Sequence, residues 1–155
     1  MRHLLFILVF LWPLGAASSD ITLREGWAVF ETDKSHGALL ADLRSAVKAN
    51  KMGVVTQAGP TATARSRGID IPENTVVGVF NNKFAVEILA TSTAAMIEAP
   101  IRFYVTENVD GTATLSYKMP SFIFAPYMDE GGGELDALAR ALDRVFDRIA
   151  TQAAY

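Results

Sequence analysis

The sequence of 155 residues contains no cysteine and only two histidines, His3 and His36. Without thiols, no disulfide can staple the fold and no lipid can be attached through sulfur. A protein-built zinc site needs several His or Cys ligands, so one imidazole beyond the first few residues excludes that chemistry; no metal or organic cofactor is expected. A basic surplus is also missing. The 14 Lys and Arg stand against 17 Asp and Glu, a formal net charge of −3, which gives no general pull on nucleic acid or anionic lipid. Leu4–Trp12 falls well short of the ~20 apolar residues of a bilayer-spanning helix. No nucleic-acid partner and no lasting membrane anchor are expected.

That short run has another reading. A cation at Arg2, the apolar stretch Leu4–Trp12, the helix breaker Pro13 and then small residues follow in the order of a secretory leader. Gly15 with Ala17, or Ala17 with Ser19, supplies the small side chains that signal peptidase requires. Residues 1–17 are therefore expected to be a signal peptide, cut after Ala17 or Ser19, and the protein to be periplasmic or secreted. Residues 20–155 suit a single domain, with no internal repeat, low-complexity tract or linker.

Periodicity sets the elements. Gly26–Thr32 alternates and is rich in aromatic and β-branched residues, which predicts a strand. Asp33 or Ser35 then caps a helix from His36 to about Asn50, with Leu39, Leu40, Leu43, Ala46 and Val47 on one stripe. Met52–Gln57 predicts a strand ended by Gly59-Pro60, Thr61–Gly68 a short helix, and Ile69–Pro72 an extended link. Thr75–Phe80 is apolar on both faces, as in a central strand covered on both sides or lining a dry cavity. Phe84–Ile97 predicts a second helix. Ile101–Thr106 and Ala113–Lys118 alternate on either side of Asp110-Gly111, a strong hairpin signal. Pro120 and Pro126 bracket a stretch too short for a long element, and after three glycines Glu134–Ala153 carries a clear helical stripe. The class is α+β: a curved, mostly antiparallel sheet backed by helices.

Four features inside Gly68–Tyr117 form a pattern: Gly68-Ile69-Asp70-Ile71-Pro72; the strand Thr75–Phe80 followed by Asn81; Glu98-Ala99-Pro100-Ile101; and the hairpin from Asp110-Gly111 to Leu115-Ser116-Tyr117. This pattern resembles the domain-of-unknown-function 302 family of small, mostly bacterial α+β domains. The resemblance implies a sheet of the TATA-binding-protein-like or helix-grip type, with a long helix across curved strands. Two departures stand out. Phe80-Asn81-Asn82 replaces the family's usual Gly-Asn-Pro, and Glu98-Ala99-Pro100 replaces an acidic-Leu-Pro step, so the tight turn is built differently. No reaction follows, because a fold alone does not supply one.

Among residues able to do chemistry, His36 directly follows Ser35 and is expected to be an exposed helix-start residue. Arg65 and Arg67 flank Ser66 and could hold a carboxylate or phosphate, although the glycine spacing of a phosphate loop is absent. Asn81-Asn82 joins a strand to a helix, a place for a cap or a ligand contact. Glu98 and Glu107 flank opposite ends of one strand, roughly 30 Å apart if extended, too far for paired acid/base work. Tyr104, Tyr117, Phe122, Phe124 and Tyr127, with Trp27 and Phe30, form an aromatic set divided between core and a cleft under the last helix. Phe122-Ile123-Phe124 reads as a cavity lid or dimer contact.

The function expected from these features is an exported, non-enzymatic domain binding a small, partly apolar ligand between sheet and helix. Its candidate site residues are Arg65, Arg67, Asn81, Asn82, Tyr104, Tyr117, Phe122 and Phe124. The rivals are a module for self-association as a homodimer or for contact with an envelope protein, and a hydrolase built on His36 or Glu98.

Overall fold

The structure is a computed structural model that describes residues 21–155; the expected signal peptide lies outside the described residues. Strand β1 (Trp27–Thr32) leads into helix α1 (His36–Ala49), strand β2 (Gly53–Ala58), helix α2 (Thr61–Ser66), strand β3 (Asn74–Phe80) and helix α3 (Asn82–Thr91). A 3-10 turn (Ala94–Glu98) precedes strands β4 (Ile101–Glu107) and β5 (Ala113–Lys118). A one-turn helix α4 (Pro120–Phe124), a 3-10 turn (Ala125–Tyr127) and helix α5 (Met128–Ala154) complete the chain. The sheet order is β1-β5-β4-β3-β2, antiparallel throughout. This is the expected α+β architecture. No helix among the described residues is long and apolar enough to cross a membrane.

All the long helices work on one face of the sheet. Val77 and Val79 of β3, Ile101, Phe103 and Val105 of β4, and Leu115 and Tyr117 of β5 are buried there. The stripe Leu39, Leu43, Ala46 and Val47 of α1 and the stripe Leu135, Ala139, Leu142, Phe146 and Ile149 of α5 complete the same core. At its centre Phe103 stacks on Phe146 at 4.7 Å, and Tyr117 meets both rings at 5.2 and 5.5 Å. Burial raises the Tyr117 phenol pKa, and the nearby Asp147 and Asp143 charges add to the effect. The two helices are also fastened at their ends: the Lys34 ammonium donates to Asp42 of α1 and to the Ala153 carbonyl of α5, each at 2.7 Å.

The local predictions fail where polar side chains compete with backbone periodicity. The helix expected over Phe84–Ile97 ends at Thr91, because Ser92 turns extended (φ −152°, ψ 118°). The Ser92 hydroxyl accepts from the Ala95 amide at 3.1 Å and donates to Glu130 at 2.6 Å, so it starts the next turn instead of continuing the helix. The last helix begins at Met128, ahead of the glycines, with a break at Gly132 (φ 53°, ψ −144°). Strand β3 is interior, as expected, but the helices cover only one of its faces. His36 also departs from expectation: it is buried, with 8 % of its surface accessible, and its Nε2 has no hydrogen-bond partner. Ser35 caps α1 by accepting from the Ala38 amide, so His36 is the first residue of the helix, and its imidazole packs inward.

Stability should follow the two-faced sheet. Phe103→Ala is expected to cost ~3–5 kcal/mol in urea unfolding, the range for a deleted core aromatic ring. Tyr104→Ala, the next residue on the opposite face, should cost under ~1 kcal/mol, and similar losses at both positions would contradict the one-sided core. His36→Leu should leave stability unchanged or raise it, since it removes a buried polar atom without a partner. A loss above ~2 kcal/mol would contradict an imidazole without a hydrogen-bond partner.

Candidate functional site

Every second residue of the sheet points away from the helices. The register places Val29 opposite Ser116, Ser116 opposite Tyr104, and Tyr104 opposite Val76 across this second face. One row away, Trp27 lies opposite Lys118, and Arg102 opposite Gly78. Gly78 is glycine for a spatial reason: a Cβ there would collide with the Thr56 hydroxyl and the Pro100 ring. Ser116 and Thr106 on this face are buried by larger neighbours, and their hydroxyl oxygens lack partners.

Over one end of this face hangs α4. Pro120 opens it at a position where a missing N–H costs nothing, and the Ser121 amide donates to Asp143 of α5 at 2.9 Å. The Met119 amide donates to the Gly26 carbonyl at 2.8 Å, drawing the start of α4 against the residue before β1. Gly26 has φ +74°, and a Cβ there would run into the Phe122 ring. The absent side chain therefore makes the seat in which Phe122 rests.

The result is a half-open cleft of ≈ 560 Å³ between the sheet face and α4. Trp27, Tyr104 and Phe122 supply aromatic surface, Val76, Ile123 and Pro126 aliphatic surface, and Glu98, Arg102 and Lys118 charge. The Arg24 guanidinium and the Lys118 ammonium lie 5.4 and 5.8 Å from the Trp27 ring centroid, within cation–π range. Glu98 is held in place by the Tyr127 hydroxyl, which donates to it at 2.7 Å. That hydrogen bond to the carboxylate raises the Tyr127 pKa, with partial desolvation and the Glu98 and Glu130 charges acting in the same direction.

The expected site residues divide sharply. Tyr104 and Phe122 line the cleft. Tyr117 reaches its wall, but its ring belongs to the core stack. Phe124 is fully buried in the core. Asn81 caps α3, accepting from the Lys83 and Phe84 amides while its own amide donates to the Lys51 carbonyl; Asn82 is the first residue of that helix. Arg65 pairs with Glu73 at 2.9 Å on the exposed α2, and Arg67 follows it as the helix ends. Neither arginine belongs to the cleft. Beneath the long helices, where a cleft was expected, lies a small half-open apolar pocket of ≈ 30 Å³ to which Asn81, Phe124, Leu142 and Phe146 contribute, room for about one or two waters. Among the described residues no three His, Asp or Glu side chains group as metal ligands. Glu98 and Glu107 stand apart as expected, with Glu107 accepting from the Glu73 amide at 2.8 Å.

The seat of Phe122 can be tested by substitution. Gly26→Ala should destabilise by about 2 kcal/mol, combining left-handed backbone strain of ~1 kcal/mol with displacement of the ring. Adding Phe122→Ala should relieve the displacement and leave the backbone part. Strictly additive losses in denaturant unfolding would show that the ring does not rest on Gly26.

The family described as "Domain of unknown function DUF302" matches residues 29–149, from the middle of β1 to near the end of α5. A solved structure, described as the uncharacterized conserved protein DUF302 from Bacillus stearothermophilus, is similar with a TM-score of 0.74 at 15% identity. That similarity covers 84% of this chain and 99% of the other. A comparison with curated proteins gives no match. The family match takes in β2 to β5 and α1 entirely, with most of β1 and α5, and the chain belongs to the DUF302 family.

Proposed function

We propose that this domain binds a small, partly apolar molecule in the cleft between the open sheet face and α4. In this reading it acts by binding and not by catalysis, outside the cytoplasm, as the leader-like order of residues 1–17 implies. The observation that carries the reading is the cleft itself, ≈ 560 Å³ with Trp27, Tyr104 and Phe122 on its walls. Small-molecule sites commonly occupy ~300–1,000 Å³ and combine apolar walls with a few placed polar groups. Aromatic side chains that face away from a complete core add little to folding. Their surface remains available for a guest. His36, the one histidine outside the leader-like segment, lies at the start of α1 and takes no part in the cleft.

One observation favours the rival reading of self-association: Phe122 is 42% exposed and Ile97 78% exposed. Phe124 is fully buried and has no surface to offer a partner.

Native mass spectrometry of the protein recovered from its own cells is expected to show a small-molecule adduct. Phe122→Ala and Tyr104→Ala should each weaken binding about tenfold without loss of fold, the scale of one lost aromatic contact. Consistently empty protein, together with an unmoved Trp27 indole NMR signal across naphthyl and decyl probes, would sink the proposal. A concentration-dependent dimer abolished by Phe122→Glu, in protein that carries no adduct, would establish the rival instead.

A further inference from the structure

We propose that the molecule held in this cleft is an organic monocarboxylate, with its carboxylate paired to Arg102 and its apolar body against Trp27, Tyr104 and Phe122. This rests on the binding reading above and adds the ligand's charge. Arg102 projects from β4 on the open face, in the cleft wall. Among the described residues its side chain has no ion pair and no hydrogen bond. The cleft does contain a carboxylate, but Glu98 accepts from the Tyr127 hydroxyl and forms no ion pair with Arg102. An arginine left without a partner beside an apolar wall is matched by a carboxylate that accepts two of its N–H groups side by side.

The charge of the wall selects a singly charged acid. Arg102 and Lys118 against Glu98 leave an excess of one positive charge in the lining, while Arg24, outside the lining, is engaged with the Trp27 ring. One carboxylate neutralises that excess, whereas a dianionic phosphate ester would overshoot it next to Glu98. Lys118 is also drawn toward the Trp27 ring, so Arg102 is the cation free to orient a ligand. The aromatic walls then set the other requirement. The body behind the carboxylate is largely apolar, because Val76, Ile123 and Pro126 offer it no hydrogen bond from their side chains.

The test is isothermal titration calorimetry with matched probes: 1-naphthoate against 1-naphthylmethanol, and decanoate against decanol. The acid of at least one pair should bind about tenfold more tightly than its alcohol, the scale of one solvent-accessible charged hydrogen bond. Arg102→Gln should abolish that preference while alcohol binding persists. Arg102→Lys should restore part of it, because charge remains but the paired donors are lost. Arg102 is exposed, so both variants should keep the wild-type unfolding midpoint. Equal binding of acid and alcohol, or a preference that survives Arg102→Gln, would overturn the carboxylate assignment and leave the binding reading standing. No binding of any probe by folded protein would overturn both.

Discussion

The contact between the Phe103 and Phe146 rings, with Tyr117 against both, decides how the rest of the molecule is arranged. Three aromatic rings from β4, β5 and α5 concentrate the largest apolar areas of the chain at one point on one face of the sheet. Once α5 is committed there, α1 packs beside it, and the remaining apolar stripes have one face to cover. The other face receives no long helix. A sheet that buries one side against helices and leaves the other to solvent normally carries polar residues outward. Here the outward set includes Trp27, Tyr104 and Val76.

The short connection after β5 turns that open face into a cleft. Residue types with few alternatives fix its path: Pro120 at the first helical position, Gly26 with its positive φ under the Phe122 ring, and the Asp143 carboxylate accepting from the Ser121 amide. The overhang is thus anchored to both ends of the folded unit, to the residue before β1 and to the last helix. Its walls are therefore set by the fold itself, through contacts that α4 makes at both of its sides.

Much of this was legible in the sequence, and the division between what was and was not has physical causes. The stripe Leu39, Leu43, Val47 and the stripe Leu135, Leu142, Phe146, Ile149 identify α1 and α5 because long amphipathic helices repeat their signal over several turns. Asp110-Gly111 identifies the hairpin, with Gly111 at φ +82°. The end of α3 at Ser92 was not legible, since it depends on a hydroxyl that reaches Glu130, 38 residues further on. The inward placement of His36 was hidden for a similar reason: the helix N-terminus alone does not say which way its first side chain packs. Tyr104 and Tyr117, both expected at the site, stand on opposite faces of the sheet, and the alternation of the two strands carries that signal. Ile101, Phe103 and Val105 share one parity and Ala113, Leu115 and Tyr117 its counterpart, while Arg102, Tyr104, Ser116 and Lys118 hold the other face. Read through the hairpin, that parity alone places Arg102 and Lys118 on the same face as Tyr104.

The same parity separates the two tasks of the sheet. A substitution on the Phe103 side acts through packing density and cavity formation, where one lost ring is a large fraction of total stability. A substitution on the Tyr104 side meets solvent and a half-open cleft, where the surroundings can relax. Strand β4 therefore alternates, residue by residue, between positions constrained by the core and positions free to vary in charge and shape. A chain built this way can change the residues of its open face without disturbing what holds it folded. Arg102, Tyr104 and Trp27 belong to that second set, on the face that the core does not use.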